Sequence, residues 1–189
     1  MTRWRLNTVH LALLIGCVGV GPQENETSMN DYRIERPSTD VDLAWLVIEP
    51  MWKAVDIYQD ESTLEQTLAG ATPGQRAVHA CSWYRSEVNN GGHDQFFFNN
   101  TGILWEEALR GFRLIGANEY AQVLESAVSL FPASRPSKDR DQRIGQLEQL
   151  DRPVLDDLDD RFYSLEERAA LDDLFLAYIA EHPRDFFAE

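Results

Sequence analysis

A chain of 189 residues has the length of one ordinary domain, and 43% hydrophobic content with five tryptophans is ample for a packed core, which excludes wholesale disorder. Asp and Glu number 32 against 17 Lys and Arg, for a net charge of −15. Such a surface excludes direct nucleic-acid binding and attachment to anionic membrane, and favours basic proteins or cations. Solubility alone would account for the same charge. The two cysteines, Cys17 and Cys81, exclude a disulfide framework.

Arg3 and Arg5 precede the apolar run Leu11–Ile15 and then Gly16-Cys17, the order of an export signal with a bacterial lipobox. On this basis residues 1–17 are a signal segment, Cys17 is the lipidated residue and anchor, and 18–39 is a polar linker. The apolar run is too short to span a bilayer. The expected location is the bacterial envelope as a lipoprotein. If translation starts at Met29, the location is cytoplasmic.

From residue 40 to 189 the pattern predicts a single compact multi-helix domain of the all-α class, because alternating β-branched runs are scarce. Apolar residues at helical spacing fill 41–49 and 51–58, with Pro50 expected to break the two. Ser62 is expected to cap a short helix ending near Gly70, and Thr72-Pro73 to open the next. That helix carries Ala77, Val78, Cys81, Tyr84 and Val88 on one face, with Cys81 as a buried, inert thiol. Asn89-Asn90-Gly91-Gly92 then stops it in a sharp turn.

Asp94 is placed to cap a short aromatic segment through Phe98. Phe96, Phe97 and Phe98 are mostly core, although one of three consecutive rings must point away from the others. Further stripes run from Leu104 to Ile115 and from Tyr120 to Phe131. A loop at 132–139 and a helix near 142–150 follow. Ser164-Leu165-Glu166-Glu167 has the form of a capping box, opening a last helix with Leu171, Leu174, Phe175, Tyr178 and Ile179 inward until His182-Pro183.

The corner holds the densest polar cluster: Glu87, Asn89, Asn90, His93, Asp94 and Gln95 around the two glycines. Its run Glu87-Val88-Asn89-Asn90-Gly91-Gly92, then Asp94-Gln95-Phe96-Phe97-Phe98-Asn99 and Gly102, resembles the signature of the bacterial DNA-mimic-protein C-terminal domain family. Ala108-Leu109, Ile115-Gly116-Ala117, Leu158-Asp159 and Phe162-Tyr163 follow the same pattern in order, so the likeness spans roughly residues 40 to 182. The chain departs from it at His93, where the pattern usually carries an apolar or aromatic residue. The resemblance implies mimicry of DNA toward a DNA-binding protein, and a homodimer joined through aromatic surface at Trp45, Trp52 or Trp105.

Catalytic constellations are weak. One His beside two carboxylates (Glu87, His93, Asp94) falls short of a structural or catalytic zinc set, and His79 and His182 lie far off. Ser86 lacks a nucleophile elbow, and Gly91-Gly92 lacks the Lys and Ser or Thr of a phosphate loop. No catalytic residue, metal or cofactor is expected. The amides of Asn89, Asn90 and Gln95 are expected to satisfy backbone groups at the turn.

The acidic stretch from Asp151 to Asp173 is the second feature. Asp156, Asp157, Asp159, Asp160, Glu166, Glu167, Asp172 and Asp173 are the candidate protein-binding residues. Helix neighbours three or four apart lie about 5–6 Å from each other, close to the interval between phosphates on one DNA strand. The expected function is therefore a non-enzymatic acidic module presenting carboxylates to a basic protein. The alternative is an envelope-tethered domain that binds a ligand or hydrolyses a substrate at the Glu87–Gln95 turn.

Overall fold

The computed structural model describes residues 32–38, 42–150, 152–168 and 171–188. Cys17 and the signal segment lie outside the described residues. The described chain is all-α: α1 (Leu43–Ala54), α2 (Glu61–Leu68), α3 (Pro73–Phe98), α4 (Trp105–Leu114), α5 (Asn118–Ser129), α6 (Arg140–Leu147), α7 (Arg152–Arg168), α8 (Leu171–Glu181) and α9 (Pro183–Phe186). Short 3-10 turns at Asn100–Leu104 and Pro132–Ser134 connect them. Among the described residues no helix is long and apolar enough to cross a membrane.

The organising element is α3. Thr72 caps it in a reciprocal box with Gln75, and Pro73 occupies its first turn. Its apolar face is the predicted one: Ala77, Val78, Cys81, Tyr84 and Val88 are all buried, and α4, α1, α7, α6, α8 and α9 pack around it. Gly111 of α4 lets α3 and α4 meet closely, since a Cβ there would stand 2.9 Å from Ala77 Cα and from Cys81 Sγ. The Cys81 thiol faces the Ala108 carbonyl at 3.6 Å, and burial pushes its pKa well up. Tyr84 is the centre of the core. The rings of His93, Phe96, Phe112 and Phe162 meet it edge-on at 5.0 to 5.6 Å.

Several expected boundaries shift. Pro50 lies inside α1, which runs on to Ala54 because Val47, Ile48 and Met51 bury one continuous stripe and the proline removes a single backbone bond. The cap of α2 is Asp60, whose carboxylate accepts from the Ser62 and Thr63 amides, so Ser62 is inside the helix. Ser164 does not open a helix. It sits within α7, where Leu155, Leu158, Phe162 and Leu165 bury one uninterrupted stripe. The end of the segment expected to be a linker is docked: the Tyr32 hydroxyl donates to Thr67 O at 3.1 Å, and Ile34 pairs with Phe187.

His79 is fully buried on α3, with Nε2 accepting from the Trp83 indole at 3.2 Å. Burial lowers its pKa from 6.5 to about 4. The unfolded chain therefore takes up this proton first as pH falls. The stability held above pH 6.5 is lost progressively toward pH 4, by about 3 kcal/mol for a shift of that size. Urea unfolding between pH 7 and 4 is expected to show this acid slope, and His79→Leu is expected to flatten it by that amount. An equal slope in both proteins would exclude His79 as its source.

Candidate functional site

At the corner, α3 is interrupted by two non-helical residues. Gly92 has φ 73 and ψ −175, a conformation reserved for glycine. Its missing side chain is equally necessary, since a Cβ would stand 2.0 Å from Asp159 Oδ2. The break frees the His93 amide, and Asp159 of α7 accepts it at 2.8 Å. The predicted cap, Asp94, is thus replaced by a carboxylate from another helix.

Asp159 also bonds His93 Nδ1, while the Tyr84 hydroxyl meets Nε2 at 2.6 Å. A neutral ring protonated on Nδ1 satisfies both: it donates to the carboxylate and accepts from the phenol. Burial, reinforced by the Asp159 charge, raises the Tyr84 pKa well above its ordinary value, so the phenol keeps its proton. His93 is fully buried and α7 covers the ring. His93 therefore forms a polar lock between α3 and α7.

Glu87 gathers the rest of the corner. Its carboxylate accepts from Gln95 Nε2 at 2.7 Å, Asn99 Nδ2 at 2.9 Å and Thr101 Oγ1 at 2.9 Å. The Gln95 amide thus serves a buried carboxylate where a backbone partner was expected. Glu87 and His93 turn to different partners, so the sequence triplet with Asp94 does not converge. A shallow open depression lies outside, lined by Gly91, Asp94, Gln95, Phe98 and Asn99. Asn89 and Asn90 are exposed. Phe96 and Phe97 are buried, but Phe98 is 45% exposed under the Arg140 guanidinium, 4.9 Å from its centroid.

Arg143 was missed in the sequence. It is fully buried on α6, and its guanidinium donates to Phe97 O, Asn99 O, Ser137 O and Lys138 O at 2.7 to 3.1 Å. Burial lowers its pKa to about 10. Gly102 of the motif makes room for it: a Cβ there would stand 2.6 Å from Arg143 Nε. The available signal was its spacing, four residues before the buried Leu147 on an otherwise polar helix.

The eight candidate carboxylates divide by direction. Asp159 is committed to His93. Glu166 accepts from Arg85 Nε at 2.6 Å and from the Tyr120 hydroxyl at 2.8 Å, and Asp172 accepts from Arg85 Nη1 at 2.6 Å. Asp156, Asp157, Asp160, Glu167 and Asp173 are exposed. Four of these five lie on α7, which at 1.5 Å per residue is about 25 Å long. Arg161 and Arg168 share the exposed side, and Arg168 stands 3.8 Å from Glu119.

Of the tryptophans expected at a homodimer surface, Trp105 is buried and donates to Pro136 O at 3.1 Å, so it offers no interface. Trp52 is half-buried and Trp45 is 37% exposed.

The model of the DMP19-like protein family matches residues 69–182, from just before α3 to the end of α8. No curated protein and no solved structure matches the chain. The family match takes in the kinked α3, the motif glycines, the Arg143 brace and the acidic helices. The chain belongs to the DMP19-like protein family, the DNA-mimic family that its corner motif resembles.

Proposed function

We propose that the protein is a non-enzymatic binding module that presents the carboxylates of α7 and the start of α8 to a basic protein, in the manner of a DNA mimic. The observation that carries this reading is the outward set Asp156, Asp157, Asp160, Glu167 and Asp173, mounted on helices held to the core by the part-buried Asp159 and Glu166 and by the exposed ion pair of Asp172 with Arg85. Asp156 and Asp160 stand one turn apart, about 6 Å along the axis, near the interval between phosphates on one strand. Membership in the family supports the same reading. The compartment selects the partner. A basic envelope protein is the partner if Cys17 is lipidated, and a cytoplasmic DNA-binding protein if translation starts at Met29. Mass spectrometry of the native N-terminus decides between them.

Titration of the protein against a panel of basic DNA-binding proteins tests the reading. Affinity is expected to fall as NaCl rises, and duplex DNA is expected to compete. The combined change Asp156→Lys, Asp157→Lys, Asp160→Lys and Glu167→Lys removes four attractive charges and adds four repulsive ones. At about 0.5–1 kcal/mol for each exposed charge, affinity is expected to drop roughly 100-fold or more. Binding indifferent to salt and to these reversals would refute the reading.

A further inference from the structure

Between α1, α3 and α8 runs an open groove of about 510 Å³. Its apolar lining includes Trp45, Ile48, Trp52, Phe175 and Leu176. Trp45 is 37% and Leu176 38% exposed, so the packing of this domain leaves them uncovered. The aromatic wall is rigid. Trp52 stacks on Trp83 at 3.9 Å with planes 9° apart, and Trp45 meets Trp52 at 5.5 Å and 64°. A surface already fixed in this way loses little conformational freedom when something docks on it.

The charges around the groove set what it accepts. Asp42 and Asp172 line it together with Arg85. Two bonds tie the Arg85 guanidinium to Glu166 and Asp172, so its charge is already matched within the fold. Asp42 makes no capping bond to α1, although it stands at that helix's N-cap. Glu166 and Asp172 together outweigh the one guanidinium they hold, and Asp42 adds a further carboxylate to the groove lining, so an anionic guest is disfavoured. Indole faces beside carboxylates suit an alkyl stem that ends in a cation. The groove also adjoins the outward carboxylates, since Asp172 lines it and Asp173 is the next residue of α8. Asn89 of the corner motif lines the same groove.

We infer that this groove takes one arginine side chain of the basic protein partner. The stem packs on Ile48, Phe175 and Leu176, and the guanidinium lies between the indole of Trp45 and the carboxylates of Asp42 and Asp172. This rests on the reading of α7 and α8 as a surface for a basic protein, and it adds the anchoring contact that a purely electrostatic face lacks. Arg and aromatic residues in preformed pockets are the usual anchors of interfaces, while exposed charge pairs mainly steer approach.

The test uses the full chain and n-butylguanidinium as the probe, with the indole N–H signals of Trp45 and Trp52 followed by NMR. Saturable shifts at millimolar probe are expected. Binding of n-butylurea, the uncharged isostere, is expected to be at least 5-fold weaker, and butanesulfonate is expected to leave the signals unmoved. Trp45→Ala and Asp42→Asn should each weaken n-butylguanidinium several-fold, the second without removing any apolar surface. Octa-arginine peptide should lose affinity for Trp45→Ala as well. Equal binding of n-butylurea, shifts that never saturate, or octa-arginine binding untouched by Trp45→Ala would each overturn the assignment. The α7 reversals separate the two ideas, because they should weaken octa-arginine and leave n-butylguanidinium unchanged. If the reversals leave octa-arginine untouched while the cation still fills the groove, the α7 reading fails and the pocket stands.

Discussion

Gly92→Ala is expected to destabilise the fold by about 4 kcal/mol, combining a backbone conformation that costs about 1–3 kcal/mol for any other residue with the loss of the charged acceptor of the buried His93. The φ of 73 with ψ −175 is outside what an L side chain adopts without strain. The new methyl would also stand 2.0 Å from Asp159 Oδ2, so the carboxylate must leave the His93 amide and ring. For a domain of this size, a loss of that order lowers Tm by about 10 °C. Gly145→Ala is the matching control, since nothing lies within 4 Å of a Cβ built there and the residue is inside α6. Alanine at that position is expected to raise stability by about 0.5–1 kcal/mol. Thermal and urea unfolding check both variants, and similar shifts in the two would show that the corner is not under this constraint.

Arg143→Met is expected to cost a similar amount, about 4 kcal/mol, for a different reason. Methionine keeps the apolar stem but lacks the guanidinium, and so strands the carbonyls of Phe97, Asn99, Ser137 and Lys138. A buried acceptor without a partner costs about 1–3 kcal/mol, and those that reach water after relaxation cost less. Arg143→Lys keeps the charge, but one ammonium cannot span carbonyls on both sides of the planar fork, so it is expected to recover less than half of the loss. Hydrogen exchange adds a local reading. The amides of 99–102 should lose protection in Arg143→Met well before those of α4 and α5. Uniform loss of protection across the domain would argue against a local brace.

Much of the architecture was legible because it depends on local pattern. The apolar face of α3, the Thr72-Pro73 start and the glycine corner follow from helical period, capping chemistry and backbone freedom, and all stand in the fold. The outward turn of one phenylalanine was also legible, and Phe98 is the one. What escaped depends on partners distant in sequence. Arg85 and Glu166 are 81 residues apart, and His93 and Asp159 are 66 apart. An acidic residue that closes such a pair has the same letter as one facing water, so Asp159 and Glu166 were grouped with their exposed neighbours. The apparent cap at Ser164 failed for another reason: the buried stripe of α7 runs straight through it, from Leu155 and Leu158 to Phe162 and Leu165. Arg143 escaped because buried arginines are rare and its acceptors are backbone atoms, which sequence does not mark.

The bond from Asp159 to the helix break has a mechanical consequence. A cylinder resting on an oily stripe is free to roll by some degrees, and its outer side chains then sweep an arc. Asp159 acts as a key in a slot: it fixes the rotation of α7 against the glycine break in α3. The azimuth of Asp156 and Asp160 is therefore inherited from a contact with the buried ring of His93.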